Sequence, residues 1–162
     1  MQNIKISPED IFLLRKILPL ICLITPWEFY FYTSDYSSGW GIKFSVLYAN
    51  FDVQYGTIFV DLLKQLTLLS YGGFLPSLRT ITWSMAALLC IAVVFYELFR
   101  QNIEMELSIR TIAILLIACA VMTLISSTAV WNSSFSTIPI APIFFAFSGC
   151  LLLYASSSQE TE

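Results

Sequence analysis

Glu28 is the ionisable residue of this chain best placed to do chemistry, standing between Trp27 and Phe29 toward the outer end of the first apolar stretch. A carboxylate inside a bilayer persists only with a purpose, because charge in hydrocarbon is costly. It serves as an ion or proton site, or it pairs with a base such as Arg79 or Lys64 at the outer surface. The competing reading ends the first span near Pro26 and leaves Glu28 in the headgroup layer, where charge costs little. That reading is the more economical of the two.

Other chemistries find little support. Histidine is absent, which removes the commonest ligand of copper, zinc and haem iron and the commonest general base near neutral pH. Cys22, Cys90, Cys119 and Cys150 fall one per apolar stretch with no CxxC spacing, so they read as small buried hydrophobes and not as a thiolate metal site. Asp35, Asp52 and Asp61 are lone carboxylates in a polar connection, with no nucleophile and base beside them. No catalytic constellation, cofactor motif or metal set emerges. A net charge of −3 with scattered bases also excludes tracking a nucleic-acid backbone.

The elements that must position Glu28 are membrane spans. Mean hydropathy is +0.77, and 57% of the 162 residues are hydrophobic against 12% charged, too little polar surface to coat a soluble globule of this size. Spans are expected at about 11–31, 80–99, 111–131 and 138–154. Arg15 and Lys16 ahead of Ile17 to Ile24 mimic a signal peptide, but Pro26, Trp27 and Glu28 follow where a small-residue cleavage site would stand, so the segment reads as retained. Lys5, Arg15, Lys16, Arg100 and Arg110 fall on one side and Lys43, Lys64 and Arg79 on the other, which puts both termini in the cytoplasm. Trp27, Trp83 and Trp131 then share the outer interface as an aromatic belt.

The connection 33–79 is long enough to fold as an outer lobe. Trp40, Ile42, Phe44, Val46 and Tyr48 alternate with their neighbours, as do Phe51, Val53 and Tyr55, and a period of two predicts a hairpin turned near Asn50. From Thr57 the period lengthens through Ile58, Phe59, Leu62, Leu63, Leu66 and Leu69, predicting an amphipathic helix on the outer membrane surface, with Gly72 and Gly73 at the bend into span two. Span, hairpin, surface helix and three further spans is a plan similar to that of the claudin-type four-helix proteins. The resemblance implies an extracellular sheet that mediates cell-to-cell or subunit contacts. That family's loop signature pairs a Gly-Leu-Trp element with two cysteines, whereas Gly39-Trp40-Gly41 here has neither the Leu nor a loop Cys, so no residue role carries over.

Between the spans, Cys119, Thr123 and Ser127 recur every four residues, and Ala146 and Cys150 form a small-xxx-small pair, both patterns suited to close helix packing. Glu97 with Arg100, and Glu106 with Arg110, have ion-pair spacing at the inner interface. Pro139 and Pro142 suit the first turn of span four. Asn132-Ser133-Ser134 is a formal glycosylation sequon that adjoins Trp131 at the membrane surface, where a glycosyltransferase has poor access.

The expected fold class is therefore all-α integral membrane: a four-transmembrane-helix bundle over 1–155, with an extracytoplasmic β-hairpin and amphipathic helix between helices 1 and 2 and a short disordered tail at 156–162. The expected role is a non-catalytic, multipass cell-membrane accessory, assembly or contact subunit. Its lobe (Trp40, Phe44, Tyr48) and small-residue helix faces would dock other membrane proteins or a second copy within the lipid bilayer. The alternative is an oligomeric transporter or channel subunit using Glu28 as its ion or proton site.

Overall fold

The computed structural model describes residues 8–67, 69, 73–103 and 106–159. Lys5, Gly72 and the end of the tail (160–162) lie outside them. Helix α1 (Pro8–Ile24) leads into strands β1 (Glu28–Thr33), β2 (Ser38–Lys43), β3 (Leu47–Asp52) and β4 (Gly56–Asp61). A short α2 (Leu62–Thr67) then precedes α3 (Phe74–Phe99), a 3-10 turn (Arg100–Asn102), α4 (Ile109–Thr128), β5 (Phe135–Pro139) and α5 (Ala141–Gln159). The strands form one antiparallel sheet in the order β4-β3-β2-β1-β5.

This architecture is α+β, with five helices and five strands among the described residues, and not an all-α four-helix bundle carrying a hairpin. Two helical segments are long and apolar enough to cross a membrane, Phe74–Asn102 and Ile109–Thr128. At ~1.5 Å per residue, the 26 residues of α3 reach about 39 Å. Helix α1 accommodates Pro19 in its interior and ends at Ile24, where Pro26 turns the preceding residue away from helical backbone, and the aromatic run Glu28–Thr33 becomes the strand at the centre of pairing with β2 and β5. Asn50 is mid-strand. The turns fall instead at 44–46 and 53–55, and the stretch from Gly56 to Asp61 pairs with β3 as a strand, so that the α-helix begins at Leu62 (Leu62–Thr67). The connection before α5 supplies β5, with Pro139 at the strand's end and Pro142 in the helix's first turn. Helix α5 carries regular structure through Gln159, beyond the start of the expected tail.

The core joins the sheet to the helices. Trp27 and Trp83 are almost completely buried, unlike the exposed Trp131, so two of the three expected belt tryptophans act as plugs. Trp27 Nε1 donates to the Cys22 carbonyl at 2.9 Å and Trp83 Nε1 to the Phe44 carbonyl at 3.0 Å. Trp27 also stands edge-on to Phe145. At the opposite end of the helices Arg15 binds Glu97 at 2.8 Å and the Leu107 carbonyl at 3.1 Å. Arg100 pairs with Glu106 at 3.4 Å. Glu97 thus pairs across the fold with Arg15, where burial strengthens the attraction, and Arg100 pairs in the connection after α3 with the exposed Glu106.

Of the predicted packing residues, Cys119, Thr123 and Ser127 are buried in α4, but Cys150 is exposed and Ala146 only half-buried against the core. The face of α5 turned inward carries Phe145, Ser148, Gly149 and Leu152. A Cβ at Gly149 would sit 2.6 Å from Ile117 Cγ1 and 2.9 Å from the Ala113 carbonyl oxygen, so glycine sets the α4–α5 approach. Gly149→Leu is expected to destabilise the protein by about 1–3 kcal/mol through overpacking, while Cys150→Leu changes stability by less than ~0.5 kcal/mol. Unfolding in detergent followed by tryptophan fluorescence measures both.

Candidate functional site

Pleating sends alternate side chains of each strand to opposite faces, and the register of the sheet sorts them unusually. On the face toward the helices, Glu28 pairs across to Lys43 and Lys43 to Tyr48. The next row runs Tyr30, Gly41, Asn50, and the next Tyr32, Gly39, Asp52. On the opposite face Phe31, Trp40 and Phe51 form one row, and Ile138, Phe29, Ile42, Ala49 and Phe59 form another. Charge and hydroxyls therefore face inward and apolar groups face outward, the reverse of a sheet laid over an apolar core.

Glu28 lies at the join, only 1% exposed. Its Oε1 accepts from Arg79 Nη2 of α3 and meets Lys43 Nζ at 3.1 Å, and its Oε2 accepts from Ser127 Oγ of α4 at 2.6 Å. Ser126 Oγ donates to the Arg79 carbonyl and Thr137 Oγ1 to the Ser127 carbonyl, at 3.0 and 2.8 Å. Arg79 lies over the rings of Phe135 and Tyr30, and Lys43 over Trp83. Three elements thus converge on one carboxylate. Its lone pairs are engaged by the protein's own donors, so it offers little to a metal ion or a transported cation.

Burial pushes the Glu28 carboxyl up, but the charges of Lys43 and Arg79 and the Ser127 hydrogen bond outweigh it and hold the group below its ordinary value. Burial and the Arg79 charge pull Lys43 down to about 7, with Glu28 pulling the other way. Asp52 ties the two hairpin tips together. It accepts from Ser37 Oγ at 2.6 Å, from Tyr32 Oη at 2.5 Å, and from the amides of Gln54 and Tyr55 at 2.8 Å each. The Ser37 and Tyr32 hydrogen bonds hold its carboxyl well below the usual range.

Between the inner face and the outer ends of α3 and α4 lies a cavity of about 560 Å³, lined by Tyr30, Lys43, Tyr48, Asn50, Arg79 and Trp83 among others. Tyr48 donates to Gln65 at 2.9 Å, and Gln65 Nε2 to Thr80 at 3.4 Å. The three lobe residues expected to dock a partner are divided by the fold, and the expected ion-site residue Glu28 lies with one of them. Glu28 and Tyr48 face inward, Trp40 stacks on Phe51 on the outward face at 4.2 Å, and Phe44 sits in the β2–β3 turn, contributing its carbonyl to Trp83. Arg79 was legible as a partner of Glu28 from position alone, and Ser127 from its stripe, though as a packing residue. Lys43, Tyr30 and Asn50 were not legible, because the strand register that faces them inward was misplaced. The chain matches no protein-family model and no curated protein sequence.

Stranding one member of a buried ion pair costs about 3–5 kcal/mol, and Arg79→Gln, which leaves Glu28 its Lys43 and Ser127 partners, is expected to lose less than that in denaturant unfolding. The pH profile follows from the signs. With its folded pKa below the ordinary 4.5, Glu28 adds stability above that pH and loses it as the pH falls through the lowered value. Asp52 acts in the same direction. Lys43, depressed from 10.5 to about 7, makes stability rise with pH between those two values. Glu28→Gln flattens part of the acid limb and Asp52→Asn the remainder, read as unfolding midpoints from pH 7 down to pH 3.

Proposed function

We propose that this chain is a non-catalytic, multipass cell-membrane contact subunit that docks the extracytoplasmic domain of a different integral membrane protein on the outward face of its sheet. The observation that carries the reading is that face: Phe31, Trp40, Phe59 and Ile138 are each between 44% and 69% exposed on a face whose two central cross-strand rows hold no charge. Exposed aromatic patches of this kind mark interaction sites, and tryptophan and tyrosine supply most binding energy where they occur. An uncharged face demands an uncharged partner surface, since a charge buried against it would find nothing to pair with.

Membrane insertion is supported by the two long apolar helices and by the apolar side chains exposed along α1, α3, α4 and α5, among them Leu13, Leu88, Val121 and Phe147. Because β5 joins the sheet built from the earlier connection, the start of α3 and the end of α4 lie on one side. The helix ends at Arg15, Arg100 and Arg110 then lie on the other. Lys5, Arg15, Lys16, Arg100 and Arg110 against Lys43, Lys64 and Arg79 is a count of basic residues that favours cytoplasmic termini. The saturation of Glu28 argues against its use as an ion-transport site.

A photo-crosslinking residue at Phe59 in native membranes is expected to give one discrete adduct with a different membrane protein, absent when the probe is at Leu88 and lost on Trp40→Ser. A homodimeric adduct would replace the proposed partner with a second copy. Recovery of free monomer alone would remove the docking reading.

A further inference from the structure

The inner face of the sheet contains the same device twice, and only one copy is closed. In the outer row Tyr32 lies across Gly39, whose added Cβ would meet the tyrosine hydroxyl at 2.5 Å, and its hydroxyl reaches Asp52 on the far strand. In the row nearer the helices Tyr30 lies across Gly41 in the same way, with 2.2 Å from a built Cβ to its hydroxyl, and the residue on the far strand is Asn50. Here the bond is not made. Among the described residues Tyr30 Oη and Asn50 Oδ1, both buried, find no hydrogen-bond partner, and Tyr30 as a whole is only 6% exposed. A buried donor and a buried acceptor left open cost about 1–3 kcal/mol each, and such groups normally find partners.

Both open atoms belong to residues that line the 560 Å³ cavity, whose size falls in the range of small-molecule sites, ~300–1,000 Å³. Its charge is unbalanced: Lys43 and Arg79 share the single carboxylate of Glu28. Arg79 donates to Glu28 through Nη2 alone among the described residues, leaving further N–H groups of its fork beside the cavity. Trp83, Tyr48 and Phe135 supply flat apolar wall. Burial pushes the Tyr30 hydroxyl up, so it remains a donor across the physiological range.

We propose that this cavity binds a small organic anion, a phosphate ester or carboxylate on a ring-sized body, with its acidic group between Arg79 and the Tyr30 hydroxyl and a ligand hydroxyl or amide donating to Asn50. The site is on the face of the sheet opposite the docking surface and does not depend on it. The mouth includes Leu75 and Pro76 in the first turn of α3 and Val130 just beyond α4, where the apolar helices begin. Lipid headgroups and free organic anions both reach that level, and both carry the required chemistry.

The test uses the full chain in dodecyl maltoside, a detergent with neither charge nor phosphate, and reads the unfolding midpoint and one-to-one adducts in native mass spectrometry. Phenyl phosphate and phosphatidylglycerol are titrated separately. A saturable rise in midpoint with phenyl phosphate supports a soluble ligand, and a rise with phosphatidylglycerol alone supports a headgroup. Tyr30→Phe supplies the discriminating variant because the hydroxyl it removes bonds nothing in the unliganded fold. It is expected to unfold at or slightly above the parent midpoint while binding weakens roughly ten- to hundredfold, the weight of one hydrogen bond to a charged group. Absence of saturable binding by either probe, or binding that Tyr30→Phe leaves unchanged, would overturn the proposal and leave the cavity to water.

Discussion

One buried carboxylate determines how the two halves of this molecule meet. An ionised group taken out of water is tolerated only with compensation close at hand, and Glu28 draws that compensation from β2, α3 and α4 together. Each partner comes from a different part of the chain, so the sheet has one angle and one distance at which it can sit on the helices. Hydrophobic contact between a sheet and a helix pair tolerates sliding. A carboxylate with three fixed donors does not.

The inverted sheet follows from the same constraint. Strands with charged and tyrosyl side chains turned toward the helices meet polar partners there, Glu28 at Ser127 and Tyr48 at Gln65, while Thr137 of β5 donates to the Ser127 carbonyl. The apolar residues are left on the other side, held flat by cross-strand stacking such as Trp40 on Phe51. Polar groups thus specify the internal geometry, and apolar groups are left exposed. The cavity and the outward face lie on opposite sides of one five-stranded scaffold.

The sequence displays the helices far better than the sheet. The long apolar stretch around Cys119 marks α4 within a few residues, and that around Cys90 marks the end of α3 but begins six residues after Phe74, since hydropathy over twenty positions averages out local detail. The strands are short, and their aromatic content imitates a helix wherever it adjoins an apolar run. Glu28 to Phe31 therefore read as the end of a span and Thr57 to Asp61 as the start of a surface helix. Asn50 invited a turn by residue type, yet its backbone bonds belong to the centre of β3. Register, which decides that Lys43 stands opposite Glu28, depends on pairing between segments that no local pattern encodes. The carboxylate was conspicuous in the sequence, and its surroundings were not.

The pairing of β1 with β5 bears on how the chain can be made. Glu28 and Ser127 are 99 positions apart, and the Trp27 carbonyl is capped by the amides of Ile140 and Ala141 only once α5 has begun. A ribosome adding residues from the N-terminus therefore exposes β1 long before its second neighbour exists. During that interval the sheet has an unfinished edge, and Glu28 has Lys43 and Arg79 for partners before Ser127 is made. Closure of the lobe is a late, long-range event of the kind that slows folding and invites mispairing. Ribosomal pausing or an insertion chaperone acting before β5 emerges would bear directly on yield.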